Sequence, residues 1–263
     1  MISQLFLLWQ LSNPTDPAPL ARLHEERIAR FPADSVESRA ARRDLGLFWL
    51  RNANPAEAER WLRQALPDAA ILPYLAEAVA AQRRDAEAET LFGQCRALTR
   101  CLGRLADYAQ RRGDISAALV LYRQAAASEP SPARRNDYGQ ALQAAGKLPA
   151  AEAQFRLAAA GPPASPETAA AWNNLASLLL STGRTAEAET WQRKALASLE
   201  KTLGPIHLRT GLAASNLADI LRARGQESGA LILYRRALDV FEASLPPGHP
   251  WTAEARQALT AAK

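Results

Sequence analysis

Small and large apolar residues return along this chain at a fixed interval. Six pairs of small residues stand 12 positions apart: Gly46 and Ala58, Ala76 and Ala88, Ala106 and Ala118, Gly139 and Ala151, Ala176 and Ala188, Ala218 and Ala230. Directly before the first member comes a large apolar residue: Leu45, Leu75, Leu105, Tyr138, Leu175 or Leu217. Four positions after the second member stands Leu62, Phe92, Tyr122, Phe155, Gln192 or Tyr234, and seven after it Ala65, Cys95, Ala125, Ala158, Ala195 or Ala237. Two antiparallel helices on a short turn approach closely only where their side chains are small, and large flanking residues fill the space to the next pair. The pattern predicts a chain of stacked helix-turn-helix units.

The turns agree. Gly113, Gly146, Gly183 and Gly225 fall at one position, where a left-handed residue ends the first helix of a unit. Asn54 and Thr185 read as N-caps of second helices, with Pro55 at a first helical position. Glu57, Glu87 and Glu187 sit in first turns, against the positive end of the helix dipole. The recurring phrase "AEAE" is therefore a helix start and not a pair of catalytic carboxylates.

Measured at the small residue, the units lengthen along the chain from 30 to 30, 33, 37 and 42 residues. The core spacing stays fixed, so the extra residues lie between units, in "GPPASPET" (161–168), "LGPIHLRT" (203–210) and "LPPGHPWT" (245–252). The expected organisation is an irregular helical first unit over 1–38, short and standard-length units over 39–165, and two long units plus a capping helix over 166–263, as one continuous solenoid. Within 1–38, Pro19–Pro32 reads as a helix.

The stretch "WNNLASLLLSTGRTAEAETWQRKAL" (172–196) carries the Trp, Leu-Ala pair, turn Gly and paired alanines of the tetratricopeptide repeat, which it resembles. Pro130 matches the proline that closes such a unit. Residues 172–255 resemble the 42-residue subclass of kinesin-light-chain type, through Asn216-Leu217-Ala218, Arg236-Ala237-Leu238 and His249-Pro250. The resemblance implies an all-α fold: a right-handed α-solenoid superhelix of about six to seven units with a C-terminal capping helix. Gln192 departs from the aromatic usual at its position.

Composition narrows the function classes. Apolar residues make up 48% and charged residues 22%, which suits a folded domain with a solvated surface. Of the 32 basic residues 28 are arginine, spread among acidic ones and giving a net charge of +5. No basic block forms a nucleic-acid tail. The start, "MISQLFLLWQLSNPTDPAP", is too short in its apolar run to span a membrane. It also lacks the basic n-region of a signal peptide. The expectation is a cytoplasmic protein, with export the alternative if that segment is a leader.

Catalytic and metal chemistry find little support. Cys95 and Cys101 match neither a redox nor a zinc spacing and read as small core residues, with a regulatory disulfide or reactive thiol the lesser alternative. His24 lies among Glu25, Glu26 and Arg27 and reads as solvated, while His207 and His249 recur just before helices and read as capping or loop-packing residues. No nucleophile elbow, phosphate loop or zinc helix occurs. The sequence leads to no enzyme, no cofactor and no metal.

What remains is a surface. The resemblance places a ligand groove along the first helices, at Asn136, Asp137 and Gln140, at Asn173, Asn174 and Ser177, and at Asn216, Asp219 and Arg222. Amides both donate and accept, so they suit an extended peptide. Asn174 and Asn216 could ladder along a ligand backbone, or equally bridge neighbouring helices or face solvent. Leu212 stands where a two-carboxylate clamp needs a basic residue, so chaperone-tail binding is not expected. The leading expectation is a non-catalytic protein-interaction module or scaffold. Alternatives are a regulatory arm of a larger enzyme assembly and, opposed by Glu77, Asp137 and Asp219 in the groove register, a helical-repeat nucleic-acid binder. Self-association through an array end near Phe6 and Trp9 is also open.

Overall fold

The computed structural model describes residues 18–260, and these form α-helices, turns and one short 3-10 helix, with no strand among the described residues. The N-terminal apolar segment, with Phe6 and Trp9, lies outside them. The helices divide into two compact units, residues 1–114 and 115–263.

The first unit holds α1 (Ala18–Ala29), α2 (Val36–Arg51), α3 (Pro55–Arg63), α4 (Leu72–Ala81), α5 (Asp85–Cys95) and α6 (Thr99–Arg111). α2 packs on α3 and α4 on α5, as the period predicts, and α3 also meets α4. A core of Leu62, Ile71, Leu75, Val79 and Phe92 runs through these pairs. Gly46 shows why its position stays small: a Cβ there would lie 2.6 Å from Leu62 Cγ.

The second unit holds α7 (Ile115–Ser128), α8 (Pro132–Ala144), α9 (Leu148–Ala159), α10 (Pro166–Ser181), α11 (Thr185–Leu203), α12 (Leu208–Ala223), α13 (Glu227–Ser244) and α14 (Pro250–Thr260). Its helix pairs are α8/α9, α10/α11 and α12/α13, each stacked on the next, and α14 covers α13. This is the solenoid architecture, closed by a capping helix. Gly139 repeats the logic of Gly46, with Phe155 Cε1 2.6 Å from a Cβ built there. All twelve residues of the six small pairs are buried.

The turns bear out four positions and add two. Gly113, Gly146, Gly183 and Gly225 have φ of 72–82°. The same register position in the two 30-residue units is occupied by Ala53 at φ 54° and Arg83 at φ 62°. A side chain at positive φ is unusual, so the turn geometry is imposed there by the helix packing on either side.

The caps are partly as expected. Asn54 Oδ1 accepts from the Glu57 N–H, with Pro55 opening α3. His207 Nδ1 accepts from the Arg209 N–H at 3.1 Å and His249 Nδ1 from the Trp251 N–H at 3.2 Å, so both histidines are N-caps. Thr185 is not a cap: it opens α11, and Arg184 holds the N-cap position without a side-chain cap bond. By register Thr185 matches Pro55, one place after the cap. His24 is half-buried rather than fully solvated, because it packs on Phe48 with ring centroids 5.8 Å apart. That burial lowers its imidazole pKa, against the pull of Asp44. Cys95 and Cys101 are buried, as read from the sequence, and are joined to each other by a disulfide between the end of α5 and α6.

The arginine excess has a structural use. In the first unit Arg63 and Arg84 both pair with Glu59 and Glu87. In the second unit Arg156 and Arg184 both pair with Glu152 and Glu187. The two squares occupy the same register, joining the second helices of successive repeats. A guanidinium fork can serve two carboxylates on different helices, which a lysine point charge does less well.

Candidate functional site: an amide-lined face of the second unit

The predicted groove residues of α8, α10 and α12 meet through their amides. Asn174 Nδ2 donates to Asn136 Oδ1 at 2.9 Å, joining α10 to α8. Asn216 Nδ2 donates to Asn173 Oδ1 at 2.7 Å, joining α12 to α10. The asparagines thus form a ladder between first helices of successive units, the helix-bridging arrangement that the sequence left open beside ligand binding. Each bond uses one half of each amide. The Asn174 carbonyl and the Asn173 and Asn136 NH2 groups have no other side-chain partner among the described residues.

Gln192 explains its own departure from the aromatic pattern. It is fully buried, and its Nε2 donates to both Asn173 Oδ1 and the Ala213 carbonyl at 2.9 Å. A phenylalanine ring, as at Phe92 and Phe155 in the same register, could not donate to the Asn173 oxygen. Gln192 Oε1 has no partner among the described residues. Such a group is costly to bury, so the node constrains how α10, α11 and α12 fit together.

Exposure grades the other predicted residues. Asn136 is 7% exposed, so it works as part of the ladder more than as open surface. Asn173, Asn174 and Asn216 are half-buried, and Gln140, Ser177 and Arg222 are exposed. Asn173 and Asn174 also line an open cleft of about 130 Å³ between α10 and α12, walled by Leu199 and Leu212 and edged by Arg209. Arg209 belongs to a position that the sequence reading passed over. It follows the His207 cap directly in the first turn of α12, and only folding sets it beside the amides.

A second cleft, about 370 Å³, opens where α12 and α13 meet the capping helix. Asp219 and Arg222 are in it and pair at 3.1 Å. The Tyr234 hydroxyl donates to Asp219, and the Arg222 guanidinium lies 5.3 Å from the Tyr234 ring centre. Burial first, then the Asp219 carboxylate, push the Tyr234 pKa well above that of a free phenol. Glu254 of α14 lines the same cleft and adds an acid. The face therefore runs from an Arg209 edge, across amides, to an acid-rich end. Among the described residues no three His, Cys, Asp or Glu gather as a metal-ligand set, and no helix is long and apolar enough to cross a membrane.

A tetratricopeptide repeat family model matches residues 167–243. Among solved structures the chain is similar to BtubC (BKLC) from P. vanneervenii, at 22% identity and a TM-score of 0.58, covering 74% of this chain and 81% of that one. It is similar to a kinesin-light-chain candidate of Podosopora anserina with nearly identical TPR-like repeats, at 22% identity and a TM-score of 0.53, over 62% of this chain and 84% of that one. A chain of the APC/C hetero-tetramer Cut9–Hcn1 aligns over 97% of this chain but 48% of its own length, at 15% identity and a TM-score of 0.64. These likenesses are of fold. No curated protein matches the sequence.

Proposed function

We propose that this chain, which carries tetratricopeptide repeats over residues 167–243, is a non-catalytic interaction module that holds an extended peptide along the amide face of α8, α10 and α12. Repeat proteins of this kind generally mediate protein–protein contacts, and this fold is a scaffold. The observation that carries the reading is the ladder itself. It fixes Asn173 and Asn174 at the cleft edge with donor and acceptor atoms unspent, so a peptide backbone meets a pre-ordered row of partners. Preordering lowers the entropy lost on binding. Leu212 in the cleft wall, where a clamp would place a cation, supports recognition without a two-carboxylate tail.

The test separates the groove from the ladder. Immobilised wild-type chain would be compared with Gln140→Arg/Ser177→Arg, two exposed positions that take no part in the ladder bonds. Proteins captured from the source lysate by wild type and lost from this variant, at unchanged melting temperature, are the expected result. Proteins retained equally by both would sink the reading.

The disulfide bears on the compartment. Cytoplasmic thiol pools keep cysteines reduced, whereas oxidising compartments preserve such bonds. Cys95–Cys101 therefore favours the exported alternative over a cytoplasmic home. Alkylating unfolded, unreduced protein from its source cells checks this: no alkylated cysteine is expected, and two would restore the cytoplasmic reading.

A further inference from the structure

The asparagine ladder stops one rung short of the last helix. α14 keeps the register of a first helix: Thr168, Thr210 and Thr252 are buried at one position of α10, α12 and α14, and Ala171, Ala213 and Ala255 at another. In each rung the asparagine two places before the small residue of one repeat donates to the asparagine three places before it in the preceding repeat. Asn174 donates to Asn136 in this way, and Asn216 to Asn173. By the same register the next rung would run from residue 258 to Ser215. Residue 258 is alanine and has no amide to give. Ser215 and Ala258 line the cleft of about 370 Å³ where α12 and α13 meet α14, so the cleft stands in place of the rung.

The polar groups of this cleft are not spent on one another. The Ser215 hydroxyl and the Gln257 amide have no side-chain partner among the described residues, and Glu254 makes no ion pair there. Asp219 accepts from Tyr234 and from Arg222, but both bonds land on Oδ1, which leaves Oδ2 without a donor. Arg222 is the one cation among the described lining residues, and Asp219 already pairs with it. The Glu254 carboxylate is therefore in excess. The cleft carries a net negative charge on a chain whose own net charge is +5.

We propose that the cleft at the missing rung takes an arginine side chain of a partner segment. A guanidinium offers five donors in a planar fork and is more weakly hydrated than an ammonium, so a row of unspent acceptors suits it better than lysine. Glu254 would balance its charge, and Asp219 Oδ2, Ser215 and Gln257 would take its remaining N–H groups through charge-assisted bonds. The same carboxylates oppose a phosphate or an acidic side chain in this place. Ser215 directly precedes Asn216, so a segment lying along the ladder reaches the cleft at its end. Only the course of that segment rests on the peptide reading of the amide face; the cleft itself does not.

The probe is a fluorescein-labelled library of short peptides built from Gly, Ala, Ser and Leu around one fixed arginine, titrated against the full chain by fluorescence polarisation. Parallel libraries carry lysine, citrulline or glutamate at the fixed position, citrulline keeping the shape without the charge. The arginine library should bind saturably and at least about tenfold more tightly than the citrulline one. Glu254→Gln removes the excess charge, and Ala258→Asn fills the cleft and restores a donor to Ser215. Each should bring arginine down to the level of citrulline with the cooperative melt retained. Gln140→Arg/Ser177→Arg should weaken both libraries alike. If that variant leaves arginine binding untouched while Glu254→Gln abolishes it, the cleft stands and the amide-face reading fails. The proposal is overturned by no saturable arginine binding, by equal binding of the citrulline or lysine library, or by an arginine preference that Glu254→Gln and Ala258→Asn both preserve.

Discussion

Asn173 Oδ1 accepts from Asn216 at 2.7 Å and from Gln192 at 2.9 Å, so one side-chain oxygen ties three helices together. Asn173→Ala should cost about 1–3 kcal/mol, because it strips a partner from the buried Gln192 amide as well as from Asn216. Asn174→Ala loses a single bond, from a half-buried amide to Asn136, and should cost about 1 kcal/mol. Urea unfolding of the two variants measures the difference. Equal costs would show that Gln192 gains nothing from Asn173.

The close helix crossings should resist enlargement. Ala188 is fully buried at the α10–α11 contact, and Ala188→Leu should cost about 1–3 kcal/mol. Ala186 is exposed two residues earlier, and the same change there should stay within about 0.5 kcal/mol. Thermal melts that rank the two alike would place the crossing elsewhere.

The two turns without glycine should be improvable. Ala53→Gly and Arg83→Gly each release a side chain from positive φ and should raise stability by about 1 kcal/mol. The gain is smaller than the full conformational strain because glycine also frees the unfolded chain. A lower midpoint in denaturant for both variants would contradict the left-handed geometry of these turns.

The arginine–glutamate squares set an acid limit. Burial pushes Glu59 and Glu152 up, yet the hydrogen bonds from Arg63, Gln82 and Arg84, and from Arg184 and Arg156, outweigh it and leave both below the ordinary value of 4.5. Arg63 holds Glu87 down, and Arg156 holds Glu187 down. A carboxylate depressed in the folded state stabilises fully above its unfolded pKa and loses that contribution as pH falls through the folded one. The contribution of the squares should therefore be flat above about pH 5 and fall below the ordinary carboxylate value. Glu59→Gln/Glu152→Gln should flatten that fall. Denaturant midpoints from pH 6 down to about 3 would show it, and an unchanged slope in the double variant would remove the squares as its cause.

Cys95→Ala puts into α5 the alanine that five other units carry at that register, so local packing survives while the bond to Cys101 is lost. The expected cost is about 2 kcal/mol, the chain-entropy value for so short a loop. Adding a dithiol reductant to wild type should lower its unfolding midpoint by a similar amount and leave the variant unmoved. A reductant effect on the variant would point to something other than the disulfide.

The period, the small positions and the histidine caps could all be read from the sequence, because each is a local matter. A residue 12 places from its partner across one turn meets it in every copy, and a cap touches a neighbour two or three residues away. Gly113, Gly146, Gly183 and Gly225 announced their turns because glycine is the residue that adopts positive φ without strain. Ala53 and Arg83 gave no such signal, since their conformation is imposed by the helices on either side. The groove asparagines could be placed on their helices, but not assigned a partner.

The sequence by itself determined which segments are helices, how they pair, and which side of each must be small. The tertiary structure alone decided that Asn216 meets Asn173 across 43 positions, that Arg184 reaches Glu152 across 32, and that Arg83 shares a cleft with Arg111. Those contacts depend on the rotation and offset between one helix pair and the next. Loops of changing length set that geometry, and polar side chains can find partners at several such offsets, whereas a close crossing of small residues tolerates only one.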